Sequence, residues 1–328
     1  MPYVVQVRIL VVAALLFLGC GNAGAASKDF AQWLAGLKED ARAEGISQAT
    51  LDRAFRGVAP IPRVIELDRR QTEFTVTFDR YLEIAMPPAR VDRGRQLLAE
   101  NQKLLSEIEA RYGVEPQYLV ALWGMETGFG HNTGNFSVIA ALATLAYDGR
   151  RSAFFRKELL YALRILDGGH IKPEDMKGSW AGAMGQNQFM PSSFINNAVD
   201  FDGDGRRDIW TTPADVLASA ANYLARSGWK TGQSWGRRVV LPEGFDLSIA
   251  NSDARKSPSA WASLGVQRFD GGALADDDSG GEAALMMPAG QGGAAFLAYD
   301  NFRAIMKWNR AVFFATAAGL LADRIAER

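Results

Sequence analysis

One cysteine, two histidines and no surplus of either charge in 328 residues remove several functions from consideration. Cys20 lies in an apolar N-terminal stretch, so a chain trimmed after Ala25 keeps no thiol and no disulfide, and its fold must be held by a core. His131 and His170 alone cannot build an imidazole metal cluster. Lys and Arg number 36 against 37 Asp and Glu. That balance lacks the basic excess of a nucleic-acid binder and suits an uncharged polymer better than a polyanion. There is no internal repeat, no low-complexity tract, and beyond residue 26 no apolar run long enough to cross a membrane.

What is present is a core-forming composition, 48% hydrophobic and 22% charged, enough for two or three lobes. Residues 1–26 read as a secretory signal: Arg8, the apolar run Ile9 to Leu18, then Ala23-Gly24-Ala25 with small residues at the cleavage positions. Cys20 offers a second route as a lipid-attachment site, although Phe17 stands where such signals usually carry Leu. A soluble exported chain is the favoured reading.

Helical periodicity then dominates. Residues 27–100 read as an N-terminal helical lobe, with Phe30, Trp33, Leu34, Leu37 and Ala41 on one face. Helices follow at Gln48 to Phe55 and Val64 to Met86, and another at Asp92 to Tyr112. Residues 101–236 form the informative core, with buried or amphipathic helices at Val138 to Tyr147 and Phe155 to Leu166. The charges Glu158 and Asp167 read there as solvated, and Asp148 sits in an ordinary polar context. Residues 237–295 shift toward Gly, Pro and Asp, and short runs at Arg238 to Leu241, Ala284 to Met287 and Ala295 to Ala298 suggest a small strand-rich insert. Residues 296–328 return as a helix to the core. Its inward stripe, Phe302, Ile305, Val312, Phe313, Thr316 and Leu320, is interrupted by Asn309, a buried amide that needs partners. The fold class is mainly α, with α+β character from the insert.

The chain is organised around Glu126, in Trp123-Gly124-Met125-Glu126-Thr127-Gly128-Phe129-Gly130. This carboxylate ends a helical run that starts at Pro116 and sits among Trp123, Met125 and Phe129. Apolar neighbours and the negative end of a helix both disfavour its charged form. A carboxyl kept neutral near pH 7 can donate a proton. The alternative is a solvated Glu on a last helical turn, with Gly128 and Gly130 serving only as a C-cap. Glycosidases ordinarily use two flanking carboxylates, and no equally loaded partner for Glu126 stands elsewhere. His131, close by, reads as a loop residue.

Gly178 to Ser193 interleaves small residues with Ser179, Trp180, Gln186 and Gln188, a composition suited to backbone lying close to a ligand. Asp200, Asp202, Asp204 and Asp208 fall at positions one, three, five and nine of an EF-hand-like loop with Gly205 at six. Thr211 stands at twelve in place of the bidentate Glu. The ligand set that the spacing offers is Asp200, Asp202, Asp204, Arg206 and Asp208, and the ion is Ca²⁺ as a structural clamp. Asp215, a few residues on, reads by itself as part of a capping box begun by Thr212.

These three segments together, with Ile65 to Gln71, Asn301-Phe302 and Trp308-Asn309, resemble the B-type lytic murein transglycosylases of bacteria over nearly the whole chain beyond the leader. The resemblance implies a lysozyme-like helical core and periplasmic cleavage of the bond between N-acetylmuramic acid and N-acetylglucosamine in peptidoglycan strands, with a 1,6-anhydro product. Glu126 matches the catalytic acid/base. Ser179, Gln188 and Tyr223 match residues lining the sugar site, Asn309 matches an asparagine near the acid, and Asp215 matches an Asp closing the calcium loop. Trp180, Trp308 and Gln186-Asn187 depart from the Phe or Tyr, Tyr and Tyr-Gly of some members. Asn309 is equally readable as a structural amide. A water-using muramidase and a non-catalytic calcium-dependent murein-binding module are the alternatives.

Overall fold

Proline and small polar caps set where the helices begin. The structure, a computed structural model, describes residues 23–70, 76–252, 254–274 and 281–327, with side chains from residue 29; the predicted leader and Cys20 lie largely outside them. The helices are α1 (Ala23–Ala43), α2 (Gln48–Ala54), α3 (Pro62–Arg69), α4 (Phe78–Ala85), α5 (Pro88–Glu100), α6 (Gln102–Tyr112) and α7 (Pro116–Thr127). They continue as α8 (Val138–Asp148), α9 (Ser152–Asp167), α10 (Pro191–Asn197), α11 (Pro213–Arg226), α12 (Pro258–Ser263), α13 (Asp300–Trp308) and α14 (Val312–Ala326). Six of them open on proline in the first turn, where its fixed φ is helical and its missing N–H has no partner to lose. Ser47, Thr77 and Ser137 cap α2, α4 and α8 by accepting N–H bonds from Thr50, Arg80 and Ala140.

Two expected helices are broken in ways periodicity does not show. The run Val64 to Met86 divides into α3 and α4, and Asp92 to Tyr112 divides at Asn101, whose amide donates to the Leu97 carbonyl. The expected C-terminal helix likewise splits into α13 and α14 after strand residues at Phe296 to Ala298. Asn309 ends α13, is only half-buried, and accepts the Ala311 N–H at 3.0 Å, so it turns the chain between helices instead of interrupting a buried stripe. Val312, expected inward, is exposed.

The helices bury their faces in two cores. In the first, α4 to α7 pack with α11, α13 and α14; in the second, α1 to α3 pack with α8 to α10. The stretch 27–100 therefore divides between them: Phe30 to Val64 join the second core and Phe78 to Leu97 the first. Helix α7 is buried from Tyr118 through Gly124, so its apolar residues run around the whole helix, as a central element requires. Two short strands, β1 (Phe136–Ser137) and β2 (Lys177–Gly178), pair antiparallel. A third cluster underlies a five-stranded antiparallel sheet of β3 (Gly236–Val240), β4 (Arg255–Lys256), β5 (Gln267–Arg268), β6 (Ala283–Met286) and β7 (Ala295–Ala298), in the order β4-β6-β7-β3-β5. Three of the insert's strands, β3, β6 and β7, were legible with boundaries within one or two residues; the two-residue strands β4 and β5 were not.

Trp235, fully buried, fixes α14 by donating its indole N–H to Asp323 at 2.9 Å. A Cβ on Gly319 would lie 2.2 Å from that ring. Ala in place of Gly inside a helix ordinarily stabilises by about 1 kcal/mol; here overlap with a bonded, enclosed indole reverses the sign. Gly319→Ala is expected to lower the melting temperature by several degrees, corresponding to roughly 1–3 kcal/mol of overpacking, measured by thermal unfolding.

Candidate active site

The site begins with the way α7 stops. Gly128, Phe129 and Gly130 all have positive φ, at 58°, 63° and 87°. Phe129 is a non-glycine residue in this region, a conformation costing on the order of 1 kcal/mol or more that the surroundings must hold. They do so by receiving its ring: a Cβ on Gly124 would meet it at 2.8 Å, and Trp123 packs against it edge-on at 5.8 Å. The fold-back leaves Glu126 on the last turn of α7, partly open to a groove yet enclosed by protein on most sides.

That enclosure raises the Glu126 carboxyl from an ordinary 4.5 to about 7. Burial is the dominant cause, partly offset by the Trp308 indole N–H, which donates to Oε1 at 2.7 Å and favours the charged form. Trp308 belongs with Phe189 and Tyr223 in an aromatic cluster, with ring centroids 4.9 to 5.7 Å apart. The acid thus lies where the two helical cores meet, since Trp308 packs against both.

Among the described residues no second carboxylate contributes to the Glu126 shift. The next three acids along the chain are engaged elsewhere. Asp148 pairs with Arg69 at 2.9 Å, and Asp167 accepts the Ser47 hydroxyl at 2.5 Å. Glu158, expected to be solvated, is instead 3% exposed and accepts the Ser192 N–H at the start of α10. His131 is exposed in the turn after α7, and His170 accepts the Arg207 N–H through Nδ1.

The segment Gly178 to Ser193 runs from β2 through tight turns into the start of α10. Ser179 accepts the Ala183 N–H at 3.1 Å. Gln188, with φ 49°, donates to the carbonyls of Thr133 and Gly185, so its position is set by its own loop and the turn after α7. The Tyr223 hydroxyl donates to the Lys307 carbonyl at 2.6 Å. Tyr223, Gln188 and Asn309 are each partly accessible or exposed at these places.

Two further residues carry weight that the sequence reading did not assign. Gln186 accepts from the Trp123 indole at 2.7 Å and donates to the Trp210 carbonyl at 2.8 Å, while its backbone carbonyl accepts the Thr127 hydroxyl and its N–H donates to Ile209. Its side chain fills the space a Cβ on Gly130 would need, at 2.4 Å. It therefore ties residues on both sides of Glu126 to the exit of the acidic loop. Tyr81, from α4, has its hydroxyl pushed up by burial and then by the charge of Glu126, which places it beside the acid. Neither residue has a local signal, because each acquires its role only when distant elements close together.

In the acidic loop, Asp200, Asp202 and Asp204 bring carboxylate oxygens within 4.8 Å of one another. Backbone N–H groups of Gly203, Gly205, Asp204 and Arg206 wrap the loop around them. Asp208 accepts from Trp210, Thr211 and Arg206, and buried Asp215 accepts the N–H groups of Phe201 and Asp208, both at 2.7 Å. The capping box at Thr212 is not formed, since Asp215 reaches into the loop instead.

A helical core holding one buried carboxyl, half-neutral near pH 7 and bonded to an indole of an aromatic cluster, defines the lysozyme-like class of glycan-cleaving folds. The comparisons narrow it. A family profile described as Transglycosylase SLT domain matches residues 29–323. Membrane-bound lytic murein transglycosylase B of Escherichia coli is 32% identical over 253 residues, covering 75% of this chain and 67% of that protein. The structure of SltB3 from Pseudomonas aeruginosa in complex with NAG-anhNAM-pentapeptide is 51% identical, with a TM-score of 0.87 over 90% of this chain and 78% of that one. The Escherichia coli lytic transglycosylase Slt35 in complex with calcium is 28% identical, with a TM-score of 0.75 over 93% and 95%. The chain belongs to the B-type lytic transglycosylase family.

Because the Trp308 indole stabilises the carboxylate, removing it favours the neutral acid. Trp308→Phe is expected to raise the Glu126 titration midpoint by roughly one pH unit, followed by carbon-13 NMR of labelled glutamate against a Glu126→Gln reference.

Proposed function

We propose that this protein is a lytic murein transglycosylase that cleaves the bond between N-acetylmuramic acid and N-acetylglucosamine with a single acid/base. The observation that carries this reading is Glu126, half-neutral near pH 7, with no companion carboxylate among the described residues. A double displacement or a base-activated water needs a second carboxyl. A substrate that supplies its own nucleophile does not.

In the proposed reaction Glu126 protonates the glycosidic oxygen as the bond from the muramic anomeric carbon breaks. The 6-hydroxyl oxygen of the same sugar attacks that carbon, closing the 1,6-anhydro ring, and its proton passes to the Glu126 carboxylate. The acid is regenerated and no water is consumed. A proton affinity near the working pH serves both halves of this cycle, and the Trp308 N–H supports the carboxylate between them. Ser179, Gln188, Tyr223 and Asn309 are assigned to sugar binding, with Tyr81 within electrostatic reach of the acid and the partly exposed ring of Trp308 offering apolar surface to the sugar.

Calcium fits the acidic loop as a structural clamp. Three converging carboxylates would otherwise repel, and the backbone donors that wrap them leave an oxygen-rich cradle suited to a hard cation. Asp200, Asp202, Asp204 and the Arg206 carbonyl would hold the ion, with Asp208 and Asp215 bracing the loop. We further infer that the chain is exported to the periplasm by residues 1–26, with Cys20 as an alternative lipid-attachment point. No helix among the described residues is long and apolar enough to cross a membrane.

Glu126→Gln is expected to abolish solubilisation of murein, while the wild type releases anhydro-ended fragments by mass spectrometry; reducing ends alone would indicate a hydrolase, and binding without release a non-catalytic module. The same variant tests the linkage. Unfolded Glu ionises near 4.5 and the folded group near 7, so stability falls as pH rises through that window. Glu126→Gln should therefore melt higher than wild type at pH 8, by up to roughly 3 kcal/mol, and little differently at pH 4. For the loop, calcium is expected to raise the melting temperature of the wild type and not of Asp202→Asn, read by thermal unfolding with and without chelator.

A further inference from the structure

Gln186 bonds in two directions. Its side-chain oxygen accepts the Trp123 indole N–H at 2.7 Å and its backbone carbonyl accepts the Thr127 hydroxyl at 3.0 Å, so two residues of the α7 end that carries Glu126 rest on it. On the other side its side-chain nitrogen donates to the Trp210 carbonyl and its backbone N–H to the Ile209 carbonyl, both at 2.8 Å. An amide suits this place, since it presents an acceptor and a donor group at the same end. The backbone approach leaves no room for a side chain at Gly185, whose Cβ would lie 2.6 Å from the Ile209 side chain and 2.8 Å from its carbonyl oxygen.

The far ends of these contacts belong to the acidic loop. The N–H groups of Trp210 and Thr211 both donate at 2.9 Å to one oxygen of Asp208, whose own N–H donates to Asp215 at 2.7 Å. The direction of the Trp210 carbonyl is therefore set by the loop. At the near end, the Thr127 hydroxyl also accepts the Gly130 N–H at 2.9 Å, which closes the left-handed turn that follows Glu126. Trp123 and Thr127 are both buried, and a buried donor or acceptor left without its partner is costly, so these contacts hold or give way as a set. Glu126 itself is bonded to the Trp308 indole from α13 and lies within electrostatic reach of Tyr81 from α4, on which Arg90 of α5 also acts. No charge of the acidic loop shifts it directly.

We propose that Gln186 is a positioning residue that couples the acidic loop to the proton donor, so that calcium binding in the loop and protonation of Glu126 favour one another. The inference rests on the calcium reading of the loop. Where Asp200, Asp202 and Asp204 converge without a neutralising cation, they repel. A loosened loop carries the Ile209 and Trp210 carbonyls away from Gln186, which then releases Trp123 and Thr127. The turn after α7 opens, water reaches Glu126, and hydration favours the carboxylate. The direction separates this from plain electrostatics, since a divalent cation acting across space would favour the carboxylate and not the neutral acid. Coupling between two binding events is reciprocal.

Carbon-13 NMR of labelled glutamate follows Glu126 in calcium chloride and in chelator. Calcium is expected to raise the wild-type titration midpoint by roughly half a pH unit or more, the equivalent of about threefold in affinity. Gln186→Met keeps the side-chain volume and removes both side-chain bonds, and its midpoint should not respond to calcium. By calorimetry at pH 8, Glu126→Gln, a neutral stand-in for the protonated acid, should bind calcium roughly threefold tighter than wild type. That gain should vanish when both proteins also carry Gln186→Met. An equal or lower midpoint in calcium, or the same rise in Gln186→Met, would overturn the proposal. Should Gln186→Met fail to fold, the wild-type midpoints and the Glu126→Gln affinity decide alone. No calcium binding by calorimetry would remove the loop reading and the coupling together, whereas binding with an unmoved midpoint removes only the coupling.

Discussion

The hydrogen bond from the Trp308 indole to Glu126 joins residues 182 positions apart and sits where two hydrophobic cores meet. The groove must be dry enough to keep a carboxyl neutral, yet must offer something to the carboxylate once its proton has left. Burial alone would supply only the first condition. One N–H aimed at one oxygen supplies the second without hydrating the site. Much of the first core, from α4 to α14, can be read as the scaffold that brings this indole back to the end of α7.

The backbone strain at the end of α7 has a place in the same scheme. Three successive residues in the left-handed region, one of them Phe129, persist because Gly124 admits the ring and Gln186 occupies the space beside Gly130. Gln186 also bonds to Ile209 and Trp210, at the exit of the acidic loop. The loop and the acid are therefore mechanically continuous through one amide side chain. An ion held by that loop would steady the helix end that carries the proton donor without touching the sugar.

Much of this architecture was legible in the sequence where the signal is local. The apolar face from Phe30 to Ala41, the helices at Val138 and Phe155 and three of the insert's five strands follow from spacing alone. Glu126 was legible too, because its helix end and its apolar neighbours lie within a few residues of it. The helix breaks at Asn101 and Asn309 were not, since apolar residues continue on both sides of each and a polar side chain bonds to the backbone there. Glu158 read as solvated because an isolated charge on an amphipathic helix usually is; its burial depends on the Ser192 N–H from another helix. Tyr81 and Gln186 are intelligible only after closure, when sequence distance no longer matters.

Strands β3 and β7 run side by side, with Gly236 facing Ala298, so the insert leaves the helical body and re-enters it at nearly one point. A segment attached at adjacent ends can lengthen, shorten or be exchanged while α11 and α13 stay in register. Among the described residues the insert supplies no hydrogen bond to Glu126, whose indole donor comes from α13. The length of the insert can therefore change without altering the contacts of the proton donor itself.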